Sequence, residues 1–132
     1  MINFSKSKNE PSKKVLIVED ESTLRKAIKK KLEKENFQVF EAGNGVQGLE
    51  VAQQEKPDLI LLDIVMPIKD GIQMLKELRQ DEWGKTAEVI MLTNLSDATK
   101  ELESFQKGVA EYLVKSDWKI NDLVKKIKSK LL

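Results

Sequence analysis

A doubly wound, five-stranded parallel α/β sheet is the fold class this sequence predicts, and three observations predict it. Short aliphatic runs without polar alternation recur along the chain, as strands buried on both faces do. Helical repeats with polar outer faces lie between them, which is the pattern of successive βα units. The runs end on acids, a threonine and a lysine, and open parallel sheets bind their ligands beyond the carboxyl ends of the strands. Five such units in 132 residues are too few for an eight-unit barrel. Right-handed crossovers then place helices on both faces of the sheet.

Residues 1–13 (MINFSKSKNEPSK) are polar, include Pro11 and lack the apolar core of a signal peptide. They are read as a mobile N-terminal extension, with one domain over 14–132. Val15-Leu16-Ile17-Val18 is the first buried strand, closed by Glu19-Asp20-Glu21. Ser22 is placed to cap a helix whose Leu24, Ile28 and Leu32 share one face. Phe37 to Glu41 alternates as an edge strand does. Gly43-Asn44-Gly45 turns into a helix with Val46, Leu49 and Ala52 at three-residue steps, and Pro57 closes the loop after it.

The stretch from Asp58 to Gly71 organises the rest. Leu59-Ile60-Leu61-Leu62 is the central strand and Asp63 ends it; Pro67 fixes its own φ and biases Met66 away from helix, so the chain leaves through a defined loop before Asp70-Gly71 starts a helix. That helix shows Ile72, Leu75 and Leu78 and stops near Trp83-Gly84. Val89 to Leu92 is the fourth strand, ending in Thr93-Asn94, and Ser96 or Asp97 caps a helix carrying Leu102 and Phe105 that ends at Gly108. Tyr112-Leu113-Val114 runs into Lys115, and Ile120, Leu123, Val124, Ile127 and Leu131 stripe the last helix.

Composition narrows the chemistry. Hydrophobic residues at 40% and charged residues at 34% are ordinary for a globular domain. A net charge of +1 with 5% aromatic residues offers no broad field or stacking surface for nucleic acid, and no field for acidic membranes. No apolar run reaches membrane-spanning length. Cysteine is absent, which removes disulfides and thiolate chemistry and fits a cytoplasmic setting. Histidine is absent too, so carboxylates, hydroxyls and lysine carry whatever chemistry there is.

Taken singly, Thr93 is a β-branched strand end, Lys115 a solvated lysine and Glu19-Asp20-Glu21 an acidic first turn. Together they lie on one edge of a parallel sheet. Where the first and third strands are neighbours, Glu19, Asp20 and Asp63 crowd and repel unless a cation intervenes. Magnesium suits oxygen ligands of this kind, with Asp20 and Asp63 ligating directly and Glu19 through water. Screened in this way, Asp63 is placed to take a phosphoryl group as an aspartyl phosphate, with the Thr93 hydroxyl and Lys115 ammonium meeting its oxygens.

Four motifs in order, Val18-Glu19-Asp20-Glu21, Asp63-x-x-Met66-Pro67-x-x-Asp70-Gly71, Leu92-Thr93 and Tyr112-Leu113-Val114-Lys115, resemble the response-regulator receiver domain of two-component signalling. The resemblance implies a flavodoxin-like (βα)5 fold with strand order 2-1-3-4-5. It also implies that Asp63 accepts a phosphoryl group from a sensor histidine kinase or phosphotransfer protein. Thr93 and Tyr112 would form the switch, and Val65 would offer its backbone carbonyl to Mg2+. The fourth helix, fifth strand and fifth helix would present a surface to a downstream protein or a second copy. Such a module catalyses only its own phosphorylation and dephosphorylation. Two positions depart from the family: Ser116 follows Lys115 where proline is common, and Asn94 follows Thr93 where a small residue is favoured. Side chains two positions beyond Asp63 and Thr93, Val65 and Leu95, are placed to flank the approach of a hydrolytic water and cannot orient it, which implies slow loss of the phosphoryl group; the alternative is that Leu95 points into the fourth-helix packing and Val65 offers only its carbonyl. Among competing readings, a pseudo-receiver scaffold would keep the fold without the chemistry. A flavin protein would want a neutral phosphate loop after the first strand, and a phosphohydrolase would want an acid where Val65 stands.

Overall fold

A computed structural model describes residues 12–132; the expected N-terminal extension lies outside the described residues except for the exposed Ser12 and Lys13. Five strands, β1 (Lys14–Val18), β2 (Gln38–Ala42), β3 (Leu59–Leu62), β4 (Val89–Thr93) and β5 (Glu111–Val114), alternate with five helices. These are α1 (Ser22–Lys34), α2 (Gly45–Glu55), α3 (Gly71–Gln80), α4 (Ala98–Gln106) and α5 (Ile120–Leu131). All pairings are parallel and the sheet order is β2-β1-β3-β4-β5, the doubly wound order expected. The order makes β1 and β3 central neighbours, although they are separated by a whole βαβ passage.

Alternate strand residues serve opposite faces, which is why uninterrupted aliphatic runs are needed. Leu16, Val18, Ile60, Leu62 and Met91 join Ala52, Met74, Leu75 and Leu78 in one cluster. Val15, Ile17, Leu59, Leu61 and Ile90 join Ile28, Leu32, Leu123 and Ile127 in the other. Both faces of the central strands are therefore sealed, and polar groups are displaced to the strand ends.

Local chemistry sets the helix entrances. Asn44, Asp70 and Asp97 are side-chain N-caps, accepting from the N–H groups of Gln47, Gln73 and of both Thr99 and Lys100. Ser22 does not cap α1, as its position suggested; it is the first helical residue, and Glu21 precedes it without a side-chain cap. The Glu21 N–H instead donates to the Glu19 carboxylate at 3.0 Å.

One residue of α2 and both apolar residues of α4 lie differently from what the sequence suggested. Val46 is 37% exposed, while Ala52 is buried and Leu49 packs against the core as expected, with Gly45 and Gly48 buried on the same helix. A Cβ at Gly48 would lie 2.8 Å from both Met74 Sδ and a Val18 methyl, so close approach to β1 and α3 replaces side-chain bulk there. On α4, Leu102 and Phe105 point to solvent, and the buried residue is Ser104, whose hydroxyl donates to the Lys100 carbonyl at 2.8 Å.

Candidate functional site

The strand register delivers the acids to one place. Val18 pairs with Leu62 on one side and Ala42 on the other, so the next residues, Glu19 and Asp63, leave the sheet level with each other. Backbone bonds continue one step past the strands: Asp63 N–H donates to the Val18 carbonyl and Glu19 N–H to the Ala42 carbonyl, each at 3.0 Å. Glu19 and Asp63 are consequently buried at 3% and 5% exposure, whereas Asp20 is exposed.

Lys115, at the end of β5, reaches across β4 to bridge the two buried acids. Its Nζ lies 2.5 Å from Glu19 Oε1 and 3.0 Å from Asp63 Oδ2. Burial alone would lower the lysine pKa, but the hydrogen bonds it donates to Glu19 and Asp63 outweigh that and hold it above its ordinary value. Glu19 is pushed up by burial, with the Asp63 charge adding and Lys115 opposing. The peptide after Lys115 is trans, since no cis bond occurs among the described residues.

One oxygen each from Glu19, Asp20 and Asp63 falls within 4.8 Å of the others, a set that could hold a metal ion. All donors are carboxylate oxygens, which suits a hard divalent cation. Both Glu19 oxygens are already engaged, by Lys115 and by the Glu21 N–H. Asp20 has no hydrogen bond or ion pair among the described residues, leaving its carboxylate for a ligand. These carboxylates open into a cavity of about 310 Å³ that Val65, Asn94 and Lys115 also line.

Thr93 is fully buried at the end of β4, and its Oγ1 accepts the Leu95 N–H at 3.2 Å. The Tyr112 hydroxyl donates to the Leu95 carbonyl at 2.5 Å. One residue's backbone thus links the two, a connection that side-chain patterns in the sequence do not signal. Tyr112 is half-buried against the core cluster, and burial, with Glu101, Asp97 and Asp63 adding, pushes its pKa up. Of the pair read as flanking a water, Val65 lines the cavity and is 61% exposed, but Leu95 packs into the core cluster and does not line it. Sequence reasoning also missed Arg25, whose guanidinium donates to the Glu19 carbonyl at 2.6 Å. Its position on a helix face rich in basic residues gave no signal.

A (βα)5 sheet of order 2-1-3-4-5, with acids ending β1 and β3 and a lysine bridging them from β5, defines the flavodoxin-like signalling domains typified by chemotaxis regulators. The sequence model of the response regulator receiver domain family matches residues 15–128, and the chain belongs to that family. It is similar to the transcriptional regulatory protein SrrA of Staphylococcus aureus, 39% identical over 104 residues. That match covers 79% of this chain and 42% of the relative, so the chain spans less than half of the relative's length. Among solved structures, the chemotaxis protein CheY4 of Vibrio cholerae superposes with a TM-score of 0.83 at 28% identity, covering 91% of this chain and 99% of that one. A CheY-like receiver domain protein from Methanospirillum hungatei JF-1 gives 0.84 at 29% identity, covering 91% and 94%. The chain is accordingly a receiver domain of the two-component response-regulator type. No helix among the described residues is long and apolar enough to cross a membrane.

Proposed function

We propose that this receiver domain is a phosphorylation-controlled switch in which Asp63 takes a phosphoryl group from a sensor histidine kinase or phosphotransfer protein. The observation that carries the reading is the Lys115 bridge between Glu19 and Asp63 beside Asp20, which has no partner among the described residues, all opening into one cavity. Buried acids held this close need permanent compensation, and the ammonium supplies it on one side only. Asp20 and Asp63, with Glu19 through water and the Val65 carbonyl, would hold Mg2+ on the other. When bound, that ion neutralises charge on the incoming phosphoryl oxygens.

In the transfer an Asp63 carboxylate oxygen bonds to phosphorus as the phosphorus–nitrogen bond of a phosphohistidine donor breaks, and the departing imidazole takes a proton from solvent. Lys115 keeps its ion pair with Glu19 and turns its remaining donors to a phosphoryl oxygen. Thr93 has no acceptor for its hydroxyl proton among the described bonds, so it can donate to a second phosphoryl oxygen. Because the Leu95 backbone joins Thr93 to Tyr112, a shift of the hydroxyl is passed to the start of α4. The surface so altered is that of α4, β5 and α5, where Leu102 and Phe105 stand exposed for a downstream protein or a second copy. The intact set Asp20, Asp63, Thr93 and Lys115 favours this reading over a scaffold without chemistry.

The test is incubation with a small acyl phosphate, with magnesium or with chelator, followed by peptide mass analysis. One phosphoryl group on Asp63, dependent on magnesium and absent from Asp63→Asn, is the expected outcome. Modification at another residue, or equal modification with chelator, would exclude the mechanism.

A further inference from the structure

Asp20, the exposed member of the acidic set, is held in place by no bond of its own side chain among the described residues, so the backbone of the β1–α1 turn must place it. That backbone is clamped from two sides. The Glu19 N–H donates to the Ala42 carbonyl of β2 at 3.0 Å. The Glu19 carbonyl accepts from the Arg25 guanidinium at 2.6 Å. This carbonyl belongs to the peptide that joins Glu19 to Asp20, so the guanidinium fixes the plane from which Asp20 departs. Arg25 is itself fixed, because its Nε donates to Glu41 Oε1 at 3.0 Å, and both side chains are largely buried, at 16% and 21% exposure. Glu41 takes a second cation, Lys29, at 3.3 Å on its other oxygen.

We infer that Arg25, oriented by Glu41, is a positioning residue for the acidic set: it locks the Glu19–Asp20 peptide so that Asp20 is presented to a divalent cation. The inference rests on the proposed function, since it presumes that Asp20 ligates. A guanidinium suits the task because its fork donates in two fixed directions at once, to a carboxylate on β2 and to a carbonyl at the end of β1. A lysine has one nitrogen and cannot reproduce that span. The arrangement resembles the outer-shell partners of metal ligands, which orient a ligand without touching the ion and whose loss weakens metal binding by about 10–100-fold. It also means that the register between β1 and β2, at the edge of the sheet, is read out at a site on its central strands.

The experiment compares the wild type with Arg25→Gln, Arg25→Lys and Glu41→Gln by three measurements: magnesium titration calorimetry, urea unfolding, and amide exchange at residues 19–21 in metal-free protein. In Arg25→Gln the magnesium dissociation constant should rise by about 10–100-fold, with residues 19–21 exchanging faster before any metal is added. Arg25→Lys should lie between that variant and the wild type. Glu41→Gln keeps an acceptor for the guanidinium and should show the smallest change. Unfolding midpoints that fall in proportion to metal affinity across the three variants would overturn the inference, because they would make Arg25 a stability residue only. Unchanged magnesium affinity and exchange in Arg25→Gln would overturn it as well. Wild-type protein that binds no magnesium would instead sink the underlying functional reading, while the metal-free exchange would still report whether Arg25 holds the turn.

Discussion

Helices α3 and α4 follow the strands that carry Asp63 and Thr93, yet they are held in opposite ways. α3 buries Gly71, Ile72, Met74, Leu75 and Leu78, whereas α4 buries only Ser104. The entrance to α3 is tight: Gly71 N–H donates to the Ile64 carbonyl at 2.8 Å, and a Cβ at Gly71 would overlap the Asp63 carbonyl oxygen. The entrance to α4 rests on the Asp97 cap and on the Tyr112 bond to Leu95. At its far end α4 is pinned, because Arg79 of α3 donates to the Lys107 and Gly108 carbonyls at 2.7 and 3.1 Å. Segments with little buried apolar surface open at low free energy. The Asp63 side is therefore held by packing, and α4 is expected to open before α3, about its pinned C-terminal end.

The strongest way to break this contrast is to truncate one leucine on each helix. Leu75→Ala removes a fully buried side chain and should cost about 3–4 kcal/mol, read as a lowered urea midpoint. Leu102→Ala, at 60% exposure, should fall within about 0.5 kcal/mol of the wild type. Similar losses in the two variants would mean that α4 is packed as firmly as α3.

A second measurement asks whether phosphorylation uses the difference. Amide exchange of the phosphorylated protein should change by about 5–150-fold at residues 94–98, the size of a typical coupling free energy. It should change little around Lys107 and Gly108, and not at all in α3. An equal change in both helices would show that the two sides move as one body.

The same contrast explains what was legible in the sequence. Strands buried on both faces need runs such as Leu59 to Leu62, and a loop leaving a sheet edge needs residues such as Pro67, so fold and sheet edge could be read directly. The acids and the lysine were legible only jointly: each alone is ordinary, but in a parallel sheet all of them fall on one edge. Packing direction on a short helix was not, since Leu102 and Phe105 sit three apart whichever way α4 turns. Links made by backbone groups were also invisible: Leu95 ties Thr93 to Tyr112 through its peptide groups, and Arg25 grips a carbonyl, which any residue type provides.

The separation of Val65 from Leu95 sharpens the comparison kinetically. Val65, in the loop after Asp63, lines the cavity, while Leu95, two residues past Thr93, packs into the core. Val65→Asn alone should shorten the aspartyl-phosphate lifetime by about tenfold, less than the ~10²–10⁴-fold of a positioned acid or base, because an amide can orient the water but cannot take its proton. Leu95→Glu should act through stability and the Tyr112 contact, without a matching gain in hydrolysis. A decay no faster in Val65→Asn would mean that the side chain two positions beyond Asp63 does not set the lifetime.

The smallest effect tests whether packing really dictates the fixed side. Ile68, in the loop between Asp63 and α3, has φ of +70° and is 82% exposed. A β-branched residue in the left-handed region costs about 1–2 kcal/mol relative to glycine, and at this exposure its side chain recovers little through burial. Such a conformation persists only where its surroundings over-determine it, and the neighbours supply that constraint. The Lys69 carbonyl accepts the Gly45 N–H at 3.0 Å, and Met66 packs against the core cluster. Asparagine tolerates this region, so Ile68→Asn should raise stability by about 1 kcal/mol. Ile68→Gly should gain less, because it loosens the unfolded chain by about 0.5–1 kcal/mol. The check is the urea midpoint of the two variants measured beside the wild type. A neutral or destabilised Ile68→Asn would show that the loop is not forced into the left-handed region, and the case for α3's entrance as the rigid side would lose its local support.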